Sequence, residues 1–209
     1  MDKEYWKEFY KNKKGDQNPS LFAQFVLKNY CKDEKYDLIE LGCGNGRDSL
    51  FLSKNGIKVL AIDQVKEEIT NLSDQFGNNE SLQFKCSDFT NLGNERTFDI
   101  AYSRFTLHSI NLIEQKRVLS WVYKQLNITG LFCIEVRGKK NELFKKGKKV
   151  ANEGNAYIYE DHYRRFIDLD IFCTELNNLG FTIEYAQESK GFAPYNNSDE
   201  VFIRVIAKK

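Results

Sequence analysis

Residues 37–49 read Asp-Leu-Ile-Glu-Leu-Gly-Cys-Gly-Asn-Gly-Arg-Asp-Ser. A short apolar run enters three alternate glycines, Gly42, Gly44 and Gly46, and a helix is expected to begin near Asp48. Glycine has no Cβ and accepts positive φ, so such a loop lets the backbone come close to a ligand. That ligand meets the open amides of the following helix. Further apolar runs at Lys58–Ile62, Leu82–Lys85, Phe98–Tyr102, Leu131–Val136, Phe181–Tyr185 and Val201–Ala207 read as strands, several of them buried on both faces. Helical spacing lies between them. Val65, Ile69, Leu72 and Phe76 form one stripe ending at Gly77, and Leu169, Phe172, Leu176 and Leu179 form another ending at Gly180. Leu119, Val122 and Leu126 mark a third helix, with Asn111 as its expected cap. Strands alternating with helices predict an α/β fold built on a mostly parallel sheet.

Two helices are predicted ahead of the first strand. One carries Tyr5, Trp6, Phe9 and Tyr10. The other opens at Asn18-Pro19, read as cap and first residue, and carries Leu21, Phe22, Phe25 and Val26. They either cover the sheet or close over a ligand, so residues 1–30 are a candidate lid.

The Gly-x-Gly-x-Gly spacing differs from the Gly-x-Gly-x-x-Gly of dinucleotide sites. Glu40, just ahead of the glycines, would repel a pyrophosphate, so the ligand is expected to carry a positive group there. Asp63 closes the second strand, where an acid can bind both hydroxyls of a ribose. Asp88 follows the third strand, where it can accept from an adenine amino group.

Composition narrows the partners. The 209 residues carry 31 Lys and Arg against 30 Asp and Glu, a net charge of +1, which disfavours a globally basic nucleic-acid coat. No apolar run approaches the ~20 residues of a membrane span, and the start lacks a signal-peptide core. The five cysteines, Cys31, Cys43, Cys86, Cys133 and Cys173, are scattered and form no CxxC pair. Neither a disulfide framework nor a metal site is expected, and a reducing cytoplasm fits best. A single domain, monomeric or dimeric, is the expectation.

Glu-Leu-Gly-Cys-Gly-Asn-Gly at 40–46, Asp63 after the second strand, Ser87-Asp88-Phe89 and Phe98-Asp-Ile-Ala-Tyr-Ser together resemble the class I S-adenosylmethionine-dependent methyltransferases. The resemblance implies a Rossmann-like, doubly wound sheet of seven strands with the last antiparallel. It implies that Gly42, Gly44 and Gly46 approach the methionine part of the cofactor, with Glu40 near its amino group. Asp63 would take the ribose hydroxyls and Gln64 would lie against the adenine, whose edge Asp88 and Phe89 would read. Asn45, Ser87 and Ser103 complete the implied cofactor set. The product would be S-adenosylhomocysteine.

The acceptor is expected beyond the carboxyl ends of the strands. The fourth strand runs into Tyr102-Ser-Arg-Phe-Thr-Leu-His108, without the Asn/Asp-Pro-Pro-Tyr signature of many amino-directed nucleic-acid methyltransferases. His108 is either a general base or a packed histidine. Arg104, Arg137, Tyr159, His162, Arg164, Arg165 and Tyr10 are the candidate acceptor-binding residues, because arginine forks suit phosphate or carboxylate. Alternatively the arginines pair with Asp161, Asp168 or Asp170. Residues 138–162 form a lysine-rich insertion, read as a solvated loop near the site. The Tyr5-Trp6/Phe9-Tyr10, Pro19-Ser20/Phe22-Ala23/Phe25 and His162–Phe166 segments are similar to bacterial methyltransferases of capsular-polysaccharide modification, including those of O-methyl phosphoramidate decoration. That resemblance implies a small anionic acceptor. The alternative is an RNA methyltransferase that grips phosphates with the lysine loop.

Overall fold

The computed structural model describes residues 5–8, 17–32, 35–77, 79–94 and 96–209. Its centre is a seven-stranded sheet in the order β3-β2-β1-β4-β5-β10-β9. The strands are β1 Asp37–Leu41, β2 Lys58–Asp63, β3 Leu82–Cys86, β4 Phe98–Arg104, β5 Leu126–Val136, β9 Thr182–Ser189 and β10 Phe202–Lys208. Neighbours pair in parallel except that β10 runs antiparallel to both β5 and β9. The central strands β1 and β4 are buried on both faces, as their unbroken apolar runs require. Edge strands β3 and β9 alternate instead.

Helices cover both faces. α1 Leu21–Tyr30, α2 Arg47–Lys54 and α3 Lys66–Phe76 pack on one side through Phe22, Ala23, Val26, Leu52, Ile69 and Leu72. α4 Leu112–Gln125 and α5 Leu169–Leu179 pack on the other through Val118, Leu119, Val122, Phe172 and Leu176. The predicted stops hold, with Gly77 at φ 67 and Gly180 at φ 105. Asn111 caps α4 in a reciprocal box with Glu114.

Two expectations change. The cap of α1 is Ser20, whose hydroxyl accepts from the Ala23 amide at 3.0 Å, not Asn18. Phe22, Ala23 and Val26 are wholly buried, so α1 is a layer of the core and not part of a lid. The insertion is also more than a solvated loop. It builds a small antiparallel sheet from β6 Lys148–Lys149, β7 Ala156–Tyr159 and β8 His162–Arg165. Among the described residues no helix is long and apolar enough to cross a membrane, and no cluster of candidate ligands could hold a metal ion.

Candidate active site

The chain reverses direction of sheet growth between β1 and β4, and the crevice beyond the carboxyl ends of the strands at such a switch point is where open α/β sheets bind ligands. The glycine loop forms one wall. Gly42, Gly44 and Gly46 have φ of 76, 54 and 71°, and the Gly42 and Cys43 amides both donate to Ile62 O at 2.9 Å. A Cβ at Gly42 would stand 2.5 Å from Thr106 Cγ2. Asp63 is tied to this loop: its two oxygens accept from the Gly44 amide at 3.0 Å and the Val65 amide at 2.9 Å. Burial raises the Asp63 carboxyl, and these amides offset part of the rise. Beside it, Gln64 Nε2 is buried with no acceptor. Glu40 is buried and accepts from Ser49 Oγ, and burial, then the charge of Asp48, pushes its carboxyl well up. Asn45 is half-buried in the loop.

Other members of the predicted cofactor set are placed differently. Phe89 is 2% exposed and its ring sits in the core beneath Gly42, so its side chain is not offered to a base. Asp88 is exposed, with Oδ1 accepting from the Thr90 amide and hydroxyl at 2.8 Å. The Ser87 amide donates to Asp63 O at 2.8 Å. Ser103 is fully buried and its hydroxyl is shared with Thr106, which leaves only its backbone for a ligand.

The structure adds a polar cluster that sequence reasoning missed. Asp48 accepts from the Ser20 amide and hydroxyl, both at 2.7 Å, and from Tyr102 OH at 2.8 Å. It therefore fixes the start of α1 to the start of α2. Glu135, wholly buried, accepts from Arg104 Nε at 2.9 Å and Arg204 Nε at 2.7 Å. Arg104 is thus held as a buried ion partner rather than offered to an acceptor. One signal for this was available: Arg204 and Glu135 interrupt otherwise apolar strands.

On the acceptor side the arginines separate. Arg165 is buried and donates to Leu107 O at 3.1 Å, Ile110 O at 3.0 Å and the Gln115 side chain, so it staples β8 to α4. Arg137 pairs with Glu200 and donates to Asn141 Oδ1 at 2.9 Å. Neither meets Asp161, Asp168 or Asp170; Asp168 pairs with Lys139 at 2.7 Å. Arg164 donates to Tyr159 O at 2.9 Å and His162 O at 3.4 Å, and among the described residues no carboxylate is in ion-pair contact with it. Burial, then the charge of Arg137, lowers its pKa. Tyr159 pairs with His162 across the β7–β8 hairpin. His162 stacks on Tyr5 at 4.0 Å, and Lys7 pairs with Glu67 at 2.7 Å. The helical turn at residues 5–8 therefore bridges the insertion and α3. Phe9 and Tyr10 lie outside the described residues.

His108 does not suit the role of base. It is buried, its Nδ1 accepts from the Arg137 amide at 3.3 Å, and its pKa falls well below normal. Burial is the main cause, followed by the charges of Arg137, His162, Arg164 and Arg165.

The methyltransferase-domain family matches residues 39–134, the glycine loop, the acid at Asp63 and strands β1 to β5 that carry the crevice. Over those residues the chain matches a methyltransferase domain, and its fold is that of the S-adenosylmethionine-dependent methyltransferases. A malonyl-[acyl-carrier protein] O-methyltransferase of Ilyobacter polytropus is 24% identical over 78% of the chain, and the chain spans 59% of that relative's length. In fold, a methyltransferase of Methanosarcina mazei matches with TM-score 0.75 at 18% identity, covering 88% of this chain and 96% of the other. A 1,6-didemethyltoxoflavin N1-methyltransferase of Burkholderia thailandensis, solved with its acceptor and S-adenosylhomocysteine, matches with TM-score 0.68 at 19% identity. That match covers 90% of this chain and 76% of the other. The residues at this crevice fit the cofactor: a glycine loop at positive φ with no room for a Cβ at Gly42, a buried carboxylate at each of two strand ends, and a buried amide with no acceptor.

Proposed function

We propose that this domain methylates an oxygen of a small acceptor bearing an anionic group such as phosphate, phosphoramidate or carboxylate. The observation that carries the reading is Arg164, a half-buried guanidinium beside Arg137 whose donors, among the described residues, reach only main-chain carbonyls. Arg137 is ion-paired with Glu200, whereas Arg164 feels the charges of Glu160 and Glu200 and, among the described residues, makes an ion pair with neither. S-adenosylmethionine, when bound, supplies an activated methyl group on a sulfonium.

The chain's own work is to bind, orient and exclude water. Glu40 faces the cofactor's amino group, Asp63 its ribose and Gln64 its base. Arg164 and Arg137 hold the acceptor's anionic group. Orientation of this kind is worth ~7–11 kcal/mol of barrier. His108 is a poor base, since burial and the neighbouring cations lower its pKa. That suits an acceptor oxygen that arrives already deprotonated, as phosphate and carboxylate oxygens do near neutral pH. Tyr5 and Trp6, seated against His162, close the crevice. The Ilyobacter relative, whose name gives O-methylation of a malonyl group, supports oxygen as the accepting atom. A capsular-polysaccharide precursor carrying phosphate or phosphoramidate is one acceptor of this class.

The test is release of S-adenosylhomocysteine with a panel of sugar phosphates, phosphoramidates, short carboxylates and an RNA transcript. The expected result is turnover with an anionic small molecule, and Arg164→Ala raising its KM at least tenfold with cofactor affinity unchanged. Exposed Lys145, Lys146, Lys148 and Lys149 favour the RNA reading. Turnover only with RNA, falling steeply with salt and surviving Arg164→Ala, would replace the first reading with that one.

A further inference from the structure

Glu200 lies in the connection between β9 and β10. Its Oε2 accepts from the Arg137 guanidinium and from Asn141 Nδ2 at 3.2 Å. Arg137 is aimed at this point by Asn141 Oδ1 at 2.9 Å and by the Phe202 ring, 4.9 Å from its Cζ. Convergent donors on one oxygen are the arrangement that recognises an oxyanion. Burial alone would raise the Glu200 carboxyl, but Arg137, then Asn141 and Arg164, bring it below its ordinary range. The residues on both sides have anchors of their own: the Asp199 carboxylate accepts from the Gly191 amide at 2.7 Å, and the Val201 amide donates to Glu142 Oε2 at 3.1 Å. Glu200 can therefore leave by rotating its own side chain, which is 22% exposed.

We infer that Glu200 is a resident stand-in for the acceptor's anionic group, occupying the Arg137 and Asn141 donors until an acceptor phosphate or carboxylate displaces it. The inference rests on the anionic-acceptor reading above. Its consequence is a penalty on acceptor binding, since affinity is reduced by the fraction of time the donors are free. Glu200 also supplies a counter-charge to both Arg137 and Arg164.

Inorganic phosphate is the probe, titrated by calorimetry into the protein saturated with S-adenosylhomocysteine at constant ionic strength. Glu200→Gln is expected to bind phosphate about tenfold more tightly than the parent, with Glu200→Asp intermediate and Glu200→Gln/Arg164→Ala weak again. A cofactor affinity equal to the parent's confirms that each variant is folded, and Glu200→Asp keeps the comparison open if Glu200→Gln does not fold. Unchanged or weaker phosphate binding in Glu200→Gln, with binding still lost in Arg164→Ala, overturns the stand-in and leaves the anion site in place. Phosphate binding that ignores Arg164→Ala, or no binding by any variant, overturns both.

Discussion

Asp63 shows what a single side chain does here. Two amides hold its carboxylate at the end of β2, so it is positioned before any ligand arrives. Charge-assisted bonds of this kind are each worth ~1.5–3 kcal/mol. Asp63→Ala is expected to weaken S-adenosylhomocysteine at least tenfold by calorimetry with the fold retained; equal affinity would remove Asp63 from the site. His108 makes a pH prediction. Its folded pKa is depressed by burial first and by surrounding cations second, while the unfolded chain returns to about 6.5. The unfolded state then binds the extra proton, so stability from this residue is present above about pH 6.5 and is lost as pH falls below it. Glu40 and Glu135, raised mainly by burial, act with the opposite sign over part of that range. The comparison is therefore between the parent and His108→Gln: the fall in Tm from about pH 7 to pH 5 should be smaller in the variant. An equal fall would place the responsible group elsewhere. The acids of the crevice were readable in the sequence because each sits at a strand end whose position the apolar runs fix. The arginines were not, since their partners Glu200, Gln115 and Glu135 are far away in the chain.

The glycine loop is the element on which the crevice depends. Ala at 42 would meet both an unfavourable φ of 76° and Thr106 Cγ2 at 2.5 Å. Overpacking of this sort costs about 1–3 kcal/mol. Gly42→Ala should lower stability by that order in denaturant unfolding and weaken the cofactor further. Thr106→Ser removes the opposing methyl, so the double variant should recover the steric part and keep the conformational part. No recovery would mean that φ alone sets the cost. Strands and helices near this loop were legible because burial on two faces, or on one helical stripe, writes a period into the sequence. The insertion was not. Its first strand has two residues, both lysine, and its register comes from pairing with β7 and from Arg165 on the far side. The start of α1 was misplaced for a similar reason. Asn18-Pro19 has the right residue types, but Asp48 holds Ser20 from outside the helix, and that long-range bond decides which residue caps.

Arg165 joins the insertion to the rest of the molecule through three acceptors near α4. Replacing it with Met would leave those buried acceptors unmet, at on the order of 1–3 kcal/mol each before any relaxation. Arg165→Met should unfold at clearly lower denaturant and raise the acceptor KM, while cofactor affinity in the folded protein stays near the parent's, because the glycine loop is on the other half of the sheet. A normal melting profile would show that the insertion is held by its aromatic contacts instead, among them Phe144, Tyr157 and Phe166. Strand β10 has a different kind of consequence. It follows β9 in the chain but lies inside the sheet, between β5 and β9. On the ribosome, β5 therefore emerges with an open edge that stays open until residues 202–208 have been made, and β9 emerges with nothing to pair with. The waiting edge includes Phe132, Ile134 and Val136, and the Glu135 carboxylate lacks Arg204 for the same interval. An unpaired apolar edge is what nascent-chain chaperones bind and what seeds aggregation when synthesis outruns folding. The yield of native protein should thus be governed by the delay between translating β5 and translating β10, and slowing the ribosome within 137–201 should lower it.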